Sequence, residues 1–407
     1  MLEFESGKRR AANRAIVRRR ILAVIRDHGP VSRIDIIRLS RMRPTTISAV
    51  IGQLLKDGLV LEKDKGVSRG GRRPVMIELN PDAKIAVGLQ ISKRSISAAA
   101  VNLRGETVAE RQTPISFSKA HLITKTVIQF VREVIRSLKI SPRRLAGVGL
   151  AATGLVDDRK GVAMVYSNDG SWRQIAFRAK LEKALHTRVR VEHDTRALAM
   201  AERWQARGGL EEPMIYVEYA DGVAMSFFMN GELYRGADNF AGELGHMVLD
   251  PRGMPCDCGQ KGCLESLVSG RALAEAINDY YRRTGSPARL NERLAIEDLI
   301  KVCQADRGAA AAAAAIAAKH LGQALVNIAH LLNPRRIVIG GILGQALGAT
   351  LLPLIRRNFN KQAMAPYARA TDIVVSRQGQ NATAVGAALM MMRTVFDWNN
   401  IQIQADK

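Results

Sequence analysis

Cysteine is scarce: four among 407 residues, and three of them lie together at Cys256, Cys258 and Cys263. A chain this long with so few is not framed by disulfides. Aromatic residues make up only 5% and apolar residues 47%, the balance of an ordinary soluble globular protein. No apolar run approaches the ~20 residues that a membrane span requires. The N-terminus is basic but has no apolar core and no small-residue cleavage site, so no signal peptide is expected. These absences predict a cytoplasmic protein without membrane insertion, long enough for roughly two or three domains.

Acidic residues are also short, 38 Asp/Glu against 61 Lys/Arg, for a formal net charge of +23. Much of the excess comes early, because Met1–Asn80 holds 18 Lys/Arg against 8 Asp/Glu. A basic terminal domain attracts polyanions. "AANRAIVRRRILAVIRDHG" predicts a helix with an apolar stripe of Ile16, Ile21, Leu22 and Ile25, stopped by Gly29-Pro30. Ser32 and Asp35 have capping-box spacing and predict a second helix. After the turn "RMR", Pro44 suits the first position of a third. That helix buries Ile47, Ile51, Leu54 and Leu55 and leaves a slim polar face of Thr45, Thr46, Ser48, Ala49 and Gln53. Such a face fits the major groove. Two strand-like runs, Leu59–Glu62 and Val75–Leu79, flank a Gly- and Arg-rich tip, which predicts a wing. The order is that of a winged helix-turn-helix domain over residues 1–80. Its expected DNA contacts are Arg41, Arg43, Thr45, Thr46, Ser48, Gln53, Arg69, Arg72 and Arg73.

From Ala86 the texture becomes α/β. "IAVGLQ", "SISAAAVNL" and "GETVAER" predict a β-meander, "TKTVIQFVREVIRSL" an amphipathic helix, and "LAGVGLAATGLV" and "RVRVEHD" buried strands. "MIYVEYADGVAMSFFMNGEL" predicts a hairpin, followed later by a helical stretch Ala309–His320, a helix Gln323–Leu332 and the strand "RRIVIGG". The alternation implies a two-lobed body with its ligand cleft between lobes. Within it, "GELGHMVLDPRGMPCDCGQKGCLES" places His246 ahead of the three clustered cysteines, between Glu243 and Glu265. The cluster points to zinc. Three thiolates and one imidazole make a closed tetrahedral site, which leaves no position for a hydrolytic water. Cys303 stands apart as a buried thiol.

"GADNFAGELGHMVLDPRGMPCDCGQKGCLES", "VEHDTRALAMAE", "AATGLVDD", "IVIGG" and "AVGAALM" together resemble the ROK family. That family unites sugar-responsive repressors and sugar kinases on an actin-like, hexokinase-like fold. The resemblance implies lobe I at 81–195, completed by a C-terminal helix at about 384–400, and lobe II with a zinc loop at 196–383. It implies one structural zinc on His246, Cys256, Cys258 and Cys263. It implies sugar contacts from Glu243, His246 and Glu265, with Asp194 at the position of the kinases' catalytic base and Gly154 and Asn168 lining the other side. Carboxylates suit vicinal hydroxyls because each accepts two hydrogen bonds. The usual Asn neighbour of that aspartate is replaced here by His193.

The kinases' phosphate turns are altered. Gln90, Ser92, Lys93 and Arg94 stand where the resemblance implies Asp and Gly-Gly-Thr. "ADGVAM", Ala220 to Met225, stands for Gly-Thr-Gly-Val-Gly-Gly, with side chains where backbone has to approach phosphate. The expectation is therefore a non-enzymatic, sugar-responsive DNA-binding regulator, a repressor of carbohydrate genes. Its expected partners are operator double-stranded DNA, a sugar or sugar-phosphate effector, and its own copies as a homodimer or homotetramer. Some family repressors answer to a phosphotransferase-system protein instead. The alternative is an ATP-dependent sugar kinase carrying an added DNA-binding domain.

Overall fold

A computed structural model describes residues 16–65, 73–92, 95–115, 120–165, 173–206, 213–229, 231–291 and 294–396. Contacts divide the chain into two units, Met1–Gly209 with Gln380–Lys407, and Leu210–Gly379.

The first unit opens with helix α1 (16–28), the short strand β1 (Val31–Ser32), α2 (Arg33–Ser40) and α3 (Pro44–Lys56). The capping box forms: Asp35 N–H donates to Ser32 Oγ at 3.1 Å, and Ser32 N–H to Asp35 Oδ2 at 3.3 Å. Strands β2 (Val60–Lys65) and β3 (Val75–Leu79) pair antiparallel, and β1 joins the other side of β3. Ile21, Leu22, Ile25, Ile36, Ile47, Ile51 and Leu54 form the buried core of this head, with Leu55 half-buried beside it. Ile16, expected on the buried stripe, is 62% exposed instead. At 3.6 residues per turn it lies about 140° around the helix from Ile21, outside the stripe.

The body of the unit is a meander of β4 (Ile85–Ile91), β5 (Ser95–Asn102) and β6 (Thr107–Pro114), then α4 (Ala120–Ser137) and β7 (Leu145–Ala152). A small antiparallel sheet follows, of β8 (Leu155–Asp157), β9 (Val162–Val165) and β10 (Arg173–Ile175). Then come α5 (Phe177–Leu185), β11 (Val189–His193) and α6 (Asp194–Gln205). The main sheet has the order β11-β7-β4-β5-β6, with β11, β7 and β4 parallel.

The C-terminal helix Ala382–Phe396 packs on this sheet and on α6. Backbone meets backbone there. A Cβ at Gly88 would overlap the Ala384 carbonyl, one at Gly149 the Ala387 carbonyl, and one at Gly386 the Ala197 carbonyl of α6. Trp204, near the end of α6, joins body to head. Its indole N–H donates to Arg104 O at 3.1 Å, and its ring meets Phe396 edge-on at 5.7 Å. The Arg26 guanidinium of α1 lies 4.9 Å over the same ring. Arg104 in turn pairs with Glu78 at 2.8 Å and donates to Leu79 O at 3.0 Å, both on β3.

The second unit is a five-stranded sheet with four longer helices. It runs β12 (Met214–Tyr219), β13 (Val223–Met229), β14 (Glu232–Leu233), α7 (Leu264–Val268), α8 (Gly270–Thr284), α9 (Ile296–Ala305) and α10 (Arg307–Leu332). It closes with β15 (Arg336–Gly340), α11 (Gly341–Ala346), α12 (Gly348–Gln362), α13 (Ala365–Ala370) and β16 (Asp372–Val375), in the sheet order β14-β13-β12-β15-β16. The stretches expected as two helices at 309–320 and 323–332 form one, α10. Gly322 does not break it, because it faces Asn358 of α12, whose side-chain amide donates to Ala318 O at 3.1 Å. By length and composition α10 is apolar enough to cross a membrane, but Ala313, Ala317, Leu321, Leu325 and Ile328 are buried in the unit's core.

Gly386→Val forces a side chain into the α6 backbone. The expected cost is about 3 kcal/mol, read as a lowered denaturation midpoint, whereas Gly379→Ala, with open space around its Cβ position, should leave the midpoint nearly unchanged.

Candidate functional site

The exposed face of the head is built by α3. Arg43 is its N-cap residue in extended conformation, and Pro44 takes the first helical position. Arg41 ends α2 in the left-handed region at φ 55°, which turns the chain into α3. Thr45, Ser48, Ala49 and Gln53 are exposed and Thr46 half-buried. Gln53 donates to Asp57 at 2.8 Å. Two groups of arginines stand out in the head. Arg18, Arg26, Arg33 and Arg38 each pair with a carboxylate. Arg41, Arg43 and Arg73 are exposed and have no carboxylate partner among the described residues. Arg69 and Arg72 lie outside those residues.

A second set stands at the carboxyl ends of β7 and β11. Asp194 opens α6 and is 8% exposed. Its Oδ2 accepts from Thr153 Oγ1 at 2.7 Å, and its Oδ1 accepts from Thr195 N–H at 2.8 Å and lies 3.2 Å from His193 Nδ1. A helix N-terminus also favours the carboxylate. Gly154 follows Thr153 in the left-handed region at φ 84°. Sequence reasoning missed Thr153, although a threonine at a strand end before that glycine was the available signal. Asn168 lies outside the described residues.

The third set belongs to the second unit. His246, Cys256, Cys258 and Cys263 bring their ligand atoms within 4.8 Å of one another. Cys256 Sγ lies 3.7 Å from His246 Nδ1, and Cys258 Sγ 3.6 Å from Cys263 Sγ. Tetrahedral ligands at zinc–sulfur length stand roughly 3.7 Å apart, so the donor set fits a four-coordinate metal ion. Backbone bonds shape the loop: Cys256 N–H to Gln260 O at 2.8 Å, Gly259 N–H to Cys256 O at 2.9 Å and Gly262 N–H to Met254 O at 2.8 Å. Gly262 has φ 68°, and a Cβ there would overlap the Asp250 carbonyl. Burial pushes the Cys263 thiol up to about 12, while a backbone N–H from Gln260 holds exposed Cys258 below the ordinary thiol value. His246 is exposed, and Nδ1 is the ring nitrogen that faces Cys256 Sγ.

Two carboxylates flank the cluster. Glu243 is exposed, with no side-chain partner among the described residues. Glu265 lies in the first turn of α7, and its Oε2 accepts from Val223 N–H at 3.0 Å. Two glycines make room for that oxygen. A Cβ at Gly222 would stand 2.5 Å from it, and one at Gly245 would stand 3.2 Å from it and overlap the Val223 carbonyl. Neither glycine was expected to matter. Cys303 is 8% exposed and its thiol is pushed up to about 11 by burial. Gly340 and Gly341 serve packing, because a Cβ at either would overlap Tyr216 or the Tyr219 backbone.

Gly245→Ala displaces both Val223 and Glu265. A loss of about 1–3 kcal/mol is expected, measured by denaturant unfolding; an unchanged midpoint contradicts this packing.

Three comparisons bear on this geometry. A xylose repressor from Bacillus subtilis (strain 168) is 25% identical over 377 residues, covering 93% of this chain and 95% of its own. A ROK family transcriptional regulator, described as a homologue of the E. coli MLC protein, superposes with a TM-score of 0.78 at 25% identity. That alignment covers 94% of this chain and 97% of that one. A ROK hexokinase from Thermus thermophilus gives 0.61 at 26% identity, covering 77% of this chain and 99% of its own. The relatives spanning nearly the whole chain thus include the head, and the kinase covers a smaller share. With the ROK family model matching residues 86–394, the chain belongs to the ROK family.

Proposed function

We propose that this protein is a sugar-responsive DNA-binding regulator that represses genes of carbohydrate uptake or catabolism. The observation that carries the reading is one chain joining two parts. Its head has Arg41, Arg43 and Arg73 flanking a slim polar helix without carboxylate partners among the described residues. Its body carries Asp194, Glu243, His246 and Glu265, the residues the resemblance assigns to sugar contact. Arg41, Arg43 and Arg73 are the phosphate contacts, Thr45, Thr46, Ser48 and Gln53 the base-reading face of α3. Glu243, His246 and Glu265 accept and donate to sugar hydroxyls, and Asp194, held by Thr153 and Thr195, is a hydrogen-bond acceptor. The bound ion is zinc, which fixes the His246 tautomer and leaves Nε2 as donor.

The turn from Ala220 to Met225 supports a non-enzymatic role. A phosphate cradle requires backbone N–H groups free to face the ligand. Here Ala220 N–H donates to Gly222 O at 3.0 Å, Val223 N–H to Glu265 Oε2 at 3.0 Å and Met225 N–H to Gly242 O at 2.8 Å. Asp221 adds a negative charge beside them. The kinase reading predicts sugar-dependent ATP hydrolysis by the purified protein; the regulator reading predicts none.

The protein acts as a homodimer or homotetramer on a two-fold symmetric site. The sugar releases DNA by binding the DNA-competent and DNA-incompetent states with different affinity. Arg43→Ala and Arg73→Ala should each weaken binding to all DNA sequences and lower the slope of log affinity against log salt by about one. Unchanged slopes remove the phosphate assignment. Glu243→Ala should retain DNA affinity and lose the thermal shift that the effector sugar produces in the parent protein; a full shift places sugar recognition elsewhere. Metal analysis should find about one zinc per chain, and a folded metal-free protein with normal sugar response contradicts the zinc role.

A further inference from the structure

The parallel strands of the first unit have two ends. Thr153, Gly154 and Asp194 stand at the carboxyl ends of β7 and β11. At the opposite end, where β4, β7 and β11 begin, lies a cavity of about 510 Å³. Lys84, Glu182, His186, Thr187, Arg188 and Thr394 line it. A volume in this range suits a small metabolite.

The lining is rich in unanswered donors. Lys84 is half-buried, and its ammonium donates to Arg143 O at 2.6 Å but meets no carboxylate among the described residues. Arg188 is also half-buried, and its guanidinium has no partner among the described residues. The side chains of His186 and Thr187 are likewise without partners there. Burial, and then the Arg188 charge, lower the Lys84 pKa, so the two cations stand close enough to repel. The acid in the lining is Glu182, whose Oε1 accepts from Val189 N–H at 2.9 Å, leaving Oε2 open to an incoming hydroxyl. Nearby Asp82 is taken by Arg144 at 3.0 Å. A point-charge lysine, an arginine fork and a threonine hydroxyl lining one cavity match the oxygens of a phosphate group.

We infer that this cavity is a second small-molecule site, which takes the phosphate of a phosphorylated, hydroxyl-bearing metabolite between Lys84 and Arg188. Glu182 accepts from a hydroxyl of the same ligand. The site is separate from the Asp194 end of the sheet. Its position also gives it a route to the head. Lys84 directly precedes β4 and lies five residues beyond Leu79, the last residue of wing strand β3. Asn80 in that connection donates to Gly58 O of the head at 2.8 Å. A ligand that holds Lys84 therefore holds the segment from which the head is carried.

Isothermal titration of the full chain tests this, in a Glu243→Ala background that weakens the other sugar site by one of its contacts. The probes are inorganic phosphate, glucose 6-phosphate and citrate at matched ionic strength. Saturable binding of one glucose 6-phosphate per chain is expected, tighter than inorganic phosphate. Lys84→Met and Arg188→Gln should each weaken it roughly tenfold. Arg188→Lys, which keeps the charge and loses the fork, should fall between, and it serves if the glutamine variant does not fold. Equal affinity in all variants means that phosphate binds elsewhere on this basic chain and overturns the site. Absence of saturable binding overturns it as well, and tighter binding of citrate than of either phosphate overturns the phosphate assignment.

Discussion

The first unit depends on how closely the helix Ala382–Phe396 lies on its sheet. Glycines at 88 and 149 let the helix backbone come down onto β4 and β7, and Gly386 lets α6 come down onto the helix. Contact at that distance leaves no space for a side chain, so dispersion along the whole seam depends on three missing methyl groups. The helix in turn fixes α6, whose Ala197, Ala199 and Ala201 are fully buried. The chain's last described helix therefore sets the position of a rod near its middle.

That rod links the strand-end carboxylate to the head. Asp194 begins α6, and Trp204 is its penultimate residue. At 1.5 Å per residue they are about 15 Å apart along the axis. Trp204 touches Arg26 of the first helix of the head and bonds to Arg104, which is paired with Glu78 on the wing strand. In the proposed function, a sugar held by Asp194 acts on one end of this helix, whose other end touches the head. The second unit applies the same economy of small residues. Gly222 and Gly245 admit the Glu265 carboxylate, and Gly262 admits the Asp250 carbonyl beneath the thiol cluster.

Local features were legible in the sequence. The Ser32–Asp35 capping box, Pro44 at a helix start and the strands of the meander each depend on neighbours a few residues away, and each appears where expected. The His-Cys cluster was legible because its spacing is local as well. Features that depend on distant partners were not. The bond from Thr153 to Asp194 joins residues 41 apart, and Gly222 is explained by a carboxylate 43 positions later. The unbroken α10 shows the same limit, because the partner that makes Gly322 tolerable is Asn358. Ile16 failed for a simpler reason: one apolar residue was assigned to a stripe whose angular position it does not share.

In the proposed function, sugar recognition in the body controls DNA binding by the head without phosphoryl transfer. The most direct measurement is to select duplexes bound by the full chain from a random library, then titrate the selected duplex against pentoses, hexoses, amino sugars and their phosphates, with no nucleotide present. A two-fold symmetric selected sequence is expected, with its release by one sugar class in the absence of ATP. Binding that no sugar alters, or release that occurs only when ATP is added, would contradict it.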